Sequence, residues 1–455
     1  MTGVDPGEQP TIFMASPLPP APPQPQAQPA PPAAAAPAAY RIEALDVVRG
    51  VALFGILLMN ITAFGLPDAY TNPQNAGGAT GANLWSWIVT QIGFEGTQRA
   101  LFSMLFGASV ILFTSKLESA GRADAADLFV RRNLWLVALG LINAFVLIWY
   151  GDILYAYGLT ALVLYPFRKL AARWLLMLGL AAMLAGAAWS YWETRTLIGQ
   201  HEAWSAASRA QADGAELTGE QQAAVAAWEG ARTAFKSTPE SVGQSADAMR
   251  AGYASAFMHR APLNAYWQSW GLYRYFFDIF GMMLIGMALF RLGVLTLARH
   301  AMLYVAMVVA GYGIGLTVNF YETRWIIDNN FSAIAFAQAN VSYDLGRLAM
   351  TIGHLGLLLL FVRSGLLGPL RRALAAVGKM AVTNYLMHSA ICLVLFVILG
   401  WYNQLERHQL YYVVAAICAG QLILSPLWLS AFRFGPVEWL WRSLTYAKLQ
   451  PMRRA

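Results

Sequence analysis

Near neutral pH a histidine is the commonest general base, because its unperturbed pKa is about 6.5. In GRLAMTIGHLGLLLL (346–360) Arg347, Thr351 and His354 recur at steps of four and three, so they share one helix face. WYGDILYAYGLTALVLYP (149–166) sets Asp152 at a short turn, with Tyr155 and Tyr157 just inside the next apolar run. RYFFDIFGMMLIGMALFRLG (274–293) carries Arg274 and Asp278 at i and i+4, and QRALFSMLFGAS (98–109) puts Arg99 and Ser103 on one face. VGKMAVTNYLMHSAICL (377–393) adds Thr383, Asn384, His388 and Ser389. Carboxylate and imidazole can take a proton from an acceptor, while guanidinium forks hold oxyanions and phosphates. His354 is therefore the first catalytic candidate and Asp152 the second. Arg49, Arg99, Arg274, Asp278 and Arg347 are the substrate-binding candidates; of these, Arg274, Asp278 and Arg347 are expected to line one pocket with Asp152 and His354, opening under residues 193–268. Plainer readings compete: Asp152 caps a turn, Arg274 and Asp278 form a surface pair, and each histidine merely satisfies a neighbouring helix.

The helix that organises these groups is RIEALDVVRGVALFGILLMNITAFG (41–65). Positions 46, 49, 53, 56 and 60 follow helical spacing, so Asp46, Arg49 and Asn60 share a face. Asp46 and Arg49, one turn apart, are expected to pair. Charges inside a span are costly and point into a bundle or a wet cavity, although Arg49 can also snorkel to the headgroups. Gly50, Ala52 and Gly55 let other helices come close.

Composition places the chain in a membrane. It has 455 residues, 58% hydrophobic and 12% charged, with mean hydropathy +0.46, whereas soluble domains carry about 25% charged residues. The net charge of +7 sits in short clusters between apolar runs, the pattern of positive-inside loops and not of a nucleic-acid binder. Cys392 and Cys418 fall in apolar runs and imply neither a disulfide framework nor a metal site. The absence of P-loop, GxSxG and HExxH motifs argues against an ATP-driven pump and the common soluble hydrolases.

Apolar runs predict an all-α polytopic membrane protein of about ten transmembrane helices, near 46–66, 98–115, 132–150, 153–167, 172–192, 269–291, 300–320, 345–364, 380–400 and 411–431. An amphipathic piece at 83–95 lies on the outer interface or joins the second span. Arg and Lys clusters fall on one side when ten spans alternate, which predicts that side, and with it both termini, to be cytoplasmic. Five segments result. Residues 1–39 form a disordered Pro/Ala-rich cytoplasmic tail without signal-peptide features; 40–192 and 269–447 are the two transmembrane halves. Residues 193–268 form an extracytoplasmic helical cap, and 448–455 a basic tail.

LDVVRGVALFGILLMNI, FSMLFGAS, RRNLWLVALGLINAFVLIWYGDIL, FDIFGMMLIGMALFRLG, GKMAVTNYLMHS and FGPVEWLWRSLTY resemble the YeiB-like bacterial inner-membrane family of unknown function, over about residues 40–447. That family is usually grouped with transmembrane acyltransferases, whose LDxxRG-like opening is matched by Leu45-Asp46-Val47-Val48-Arg49-Gly50. Several of those relatives use a histidine in or after the first span, whereas this chain has none before His201. The resemblance thus implies acyl transfer from a cytoplasmic donor such as acyl-CoA to an envelope acceptor, a small molecule or a glycan or lipid, with the base supplied from elsewhere. The alternative is a transporter or permease for a small solute or lipid-linked molecule, for which the sequence shows no clear inverted repeat. A purely structural scaffold fits the intramembrane charges poorly.

Overall fold

The structure, a computed structural model, describes the backbone of residues 38–454 and the side chains of residues 43–454 other than Arg274. Residues 1–37 of the Pro-rich tail therefore lie outside the described residues. Helices make up the whole architecture; the described residues form one isolated bridge, Phe432 to Arg453, and no longer strand. Eight helical stretches among them are long and apolar enough to cross a membrane. The chain is an all-α polytopic membrane protein.

The first half contains α1 (Ala38–Gly65), α2 (Gly81–Gly93), α3 (Thr97–Ser119), α4 (Ala125–Phe145), α5 (Leu154–Leu164) and α6 (Ala172–Ala212). The piece expected at an interface is α2, separated from α3 by a break at Gly96. Gly96 has φ +68°, and a Cβ there would collide with the Tyr343 hydroxyl and the Arg347 side chain. Only glycine fits that turn. Two expected spans fall outside the eight: α5, which has 11 residues, and α10 (Trp270–Arg291), a 22-residue helix packed between α3 and α6.

The cap consists of α7 (Gly219–Phe235), α8 (Pro239–Arg250) and α9 (Tyr253–Trp267). No break separates it from the bundle at residue 193: α6 runs 41 residues, about 60 Å at 1.5 Å per residue, and carries the cap outward. The cap is pinned to one end of the bundle. Tyr253 donates to the Val146 carbonyl at 2.9 Å, Arg260 to the Tyr402 hydroxyl at 2.8 Å, and Ser237 to Asp68 at 2.9 Å.

The second half continues with α11 (Ala301–Asp328), α12 (Ala333–Ala339), α13 (Tyr343–Ser364), α14 (Gly368–Lys379) and α15 (Ala381–Cys392), the last extended by a π turn (Leu393–Ile398). It closes with α16 (Arg407–Ala431) and α17 (Pro436–Tyr446). Residues 321–344 hold the end of α11, all of α12 and the start of α13, tied to α6 where Thr194 donates to the Ala337 carbonyl at 2.8 Å.

Small residues explain several sequence signatures. A Cβ on Gly107 would overlap the Met283 carbonyl, and one on Gly286 the Met104 carbonyl, so α3 and α10 meet backbone to backbone. Gly311 and Gly353 do the same for α11 and α13, and Gly50 and Gly378 for α1 and α14. Without a hydrophobic force between helices in lipid, such close approach is what dispersion requires. Leu184 on α6, Val309 on α11 and Leu427 on α16 stay exposed, as lipid-facing residues should.

Candidate functional site

At the cap end, Asp278 of α10 bridges two helices. Its Oδ2 accepts from Arg99 of α3 at 3.1 Å, and its Oδ1 pairs with Arg347 of α13 at 2.8 Å. Arg347 is fully buried and also holds Asp344 at 2.6 Å. Glu95, at the α2–α3 break, accepts from the Tyr70 and Tyr343 hydroxyls, each at 3.4 Å. Glu322 accepts from Ser342 at 2.6 Å. All these charged groups line one cavity of about 360 Å³, four carboxylates against two guanidiniums.

Asp152 faces a second cavity, of about 480 Å³, that shares Tyr70, Thr71, Arg99, Trp267 and Tyr275 with the first. Phe235 of α7 and Trp267 of α9 roof it. Asn60 lines it from α1. One oxygen of Asp152 accepts from the Asn143 side chain and the other from the Tyr155 amide, both at 2.8 Å, so the carboxylate also caps the start of α5. It lies in the turn between α4 and α5, and burial pushes its carboxyl up to about 7.

A third cavity, about 250 Å³, opens at the opposite end, where α1 and α4 begin and α17 packs. Arg49, Arg132, Lys379 and Arg442 line it against the single carboxylate of Glu438. Arg49 pairs with Asp46 at 2.9 Å. Glu438 accepts from the amides of Val382 (2.7 Å) and Thr383 (3.1 Å) and from the Thr383 hydroxyl. In return the Thr383 oxygen accepts from the Val437 amide at 3.0 Å, so α15 and α17 cap each other.

A thin septum divides the two ends. Arg99 lines the cap-side cavities and Phe102 the third; three residues of helix rise about 4.5 Å. Tyr157 lines the third cavity, and its hydroxyl sits 2.6 Å from Ser103 while donating to the Arg99 carbonyl at 3.1 Å. Tyr385 lines it too, and accepts from the Trp149 indole at 3.3 Å and the Ile153 amide at 3.2 Å, both residues of the cap-side wall.

The expected residues therefore divide. Asp278, Arg99 and Arg347 meet directly; Asp152 stands in the adjoining cavity; Arg49, with Asp46, belongs to the other end. The Arg274 side chain lies outside the described residues. His354 lines none of the three cavities, contrary to the pocket expected for it. It is wedged between the rings of Phe94 (5.9 Å) and Tyr312 (5.5 Å), because its face of α13 turns toward α2 and α11. His388 satisfies a neighbour, Gln421, at 3.0 Å. Groups that sequence reasoning passed over are Glu95, Arg132, Glu322 and Tyr385. Arg132 reads as a loop cation if the span starts at 132, but α4 begins at Ala125. The spacing of Phe129, Arg132, Asn133 and Leu136 then sets them on one face.

Fold and site together define a polytopic α-helical membrane protein with facing cavities of opposite charge. Residues 289–448 match a family described as "Protein of unknown function (DUF418)". The chain is 33% identical over 421 residues to "Uncharacterized protein YeiB" of Escherichia coli (strain K12), covering 90% of this chain and 98% of that protein. It is 28% identical over 431 residues to "Uncharacterized protein YxaH" of Bacillus subtilis (strain 168), covering 91% and 96%. The chain belongs to this YeiB-like family of unknown function. No solved structure matches it.

Proposed function

We propose that the protein transfers an acyl group through the bacterial inner membrane, from a cytoplasmic donor such as acyl-CoA to a hydroxyl or amine acceptor on the envelope side. The observation that carries this reading is the pair of opposed cavities, basic at one end and acidic at the other, meeting at a septum one helical turn thick. An anionic donor suits the basic end, which the Arg and Lys clusters assign to the cytoplasm. The acidic end, under the cap, suits a cationic or polyhydroxyl acceptor. In the cap-side cavity Asp152 is the base: it takes the acceptor's proton as the nucleophile adds to the thioester carbonyl, the C–S bond breaks as the tetrahedral intermediate collapses, and the proton held by Asp152 passes to the departing thiolate. Arg99 and Arg347 fix the acceptor side through Asp278. Purified protein incubated with labelled acyl-CoA and envelope extract should give a labelled acceptor. Unchanged acyl-CoA, with no labelled product, would count against transfer.

A permease for a small solute or lipid-linked molecule is the second reading. Closure between the cavities by Tyr157 and Tyr385 favours it, since an occluded carrier needs such a barrier. Solute uptake into proteoliposomes without acylated product would select it.

A further inference from the structure

We propose that Arg132 anchors an anion site in the basic cavity, built to take a phosphate group of a ligand entering from that end. Its guanidinium lies 3.9 Å from the centre of the Trp441 ring and 4.9 Å from that of Phe113. Trp441 is itself locked, because its indole N–H donates to the Arg132 carbonyl at 2.8 Å. Stacking of this kind fixes the plane of a guanidinium and leaves its N–H edge to bind. Among the described residues no carboxylate pairs with Arg132. Glu438, the carboxylate of this cavity, is occupied by Val382 and Thr383. Arg49 and Arg442 bring further positive charge to the same volume.

Cations gathered around a cavity repel one another, and an anion relieves the repulsion. Phosphate fits best of the common anions, since its oxygens accept paired N–H bonds from guanidinium forks. The cavity, about 250 Å³, admits a phosphate with part of the group that carries it. This deepens the donor side of the transfer reading, yet a phosphate site stands even if no acyl group moves. Its ligand comes either from a soluble cofactor or from an anionic lipid headgroup.

The full-length protein, in neutral-lipid nanodiscs, should be titrated with coenzyme A and with inorganic pyrophosphate, and separately reconstituted with increasing phosphatidylglycerol. Saturable binding of coenzyme A or pyrophosphate, weakened at least tenfold by Arg132→Gln, supports a site for soluble phosphates. The same Arg132 dependence confined to phosphatidylglycerol supports the site with a lipid source. Arg442→Glu, at an exposed position, reverses a charge beside the cavity and should weaken binding several-fold, which keeps the test open if Arg132→Gln fails to fold. Absence of saturable binding by all three probes overturns the proposal, as does equal affinity in the folded variants. Arg132-dependent binding of coenzyme A without any acylated product would leave the site intact and remove the transfer reading alone.

Discussion

Asp278 and Arg347, 69 positions apart in the chain, meet at 2.8 Å inside the bundle, and the second carboxylate oxygen of Asp278 holds Arg99. Three helices are thus joined through one side chain. Removing one member of a buried pair leaves an uncompensated charge, at a cost of roughly 3–5 kcal/mol. Arg347→Ala should therefore lower the melting temperature and yield in detergent more than Arg99→Ala, because the Arg99 side chain is 24% exposed and that of Arg347 only 2%. Equal melting of the two variants would show that the network does not hold the helices.

Orientation gives a second test. The cap seals the end of the bundle opposite Arg49, and the basic loops all belong to Arg49's end. Gly230→Cys, on α7, should react with an impermeant maleimide in intact cells. Ala120→Cys, between α3 and α4, should react only after permeabilisation. The reverse pattern would invert the topology.

Mutual capping of α15 and α17 ties GKMAVTNY to FGPVEWLW. Glu438→Gln keeps an acceptor for one amide but loses the charge that serves two amides and a hydroxyl. Hydrogen bonds to a charged group are worth about 1.5–3 kcal/mol each, so Glu438→Ala should melt lower than Glu438→Gln, and both lower than wild type. Thermal unfolding in one detergent decides the order.

Much of this fold was legible because lipid imposes a length and a composition on every span. The Asp46–Arg49 pair was readable for a similar reason: both residues lie one turn apart on one helix. Contacts between helices were another matter. Arg347 and His354 lie on the same face of α13, but His354 sits two turns further along, where that face meets the rings of Phe94 and Tyr312 and no cavity, and the α13 sequence alone does not say which neighbour each turn meets. Arg132 was hidden by a span boundary placed seven residues late relative to the helix start at Ala125, which turned a cavity cation into a loop residue. Glu95 was hidden by a break that depends on Gly96 and on Tyr343 far along the chain.

The choice of base separates the sequence reading from the structural one. His354 packs between Phe94 and Tyr312, away from the three cavities, so under the proposed acyl transfer His354→Gln should fold and keep most of the turnover of wild type. Asp152 lines the cap-side cavity, and its carboxyl, raised to about 7 by burial, is protonated below that pH and able to take a proton above it. Turnover should therefore climb with pH and level off above about 7. Asp152→Asn cannot take up the proton and should lose roughly 10²–10⁴-fold in turnover, with the pH dependence gone. A capping role alone predicts something different: asparagine can still accept from the Tyr155 amide, so the variant would melt a little lower while each folded molecule worked at the normal rate. Measuring kcat against pH for folded wild type, His354→Gln and Asp152→Asn distinguishes these outcomes, and a normal rate in Asp152→Asn would take the base away from the α4–α5 turn.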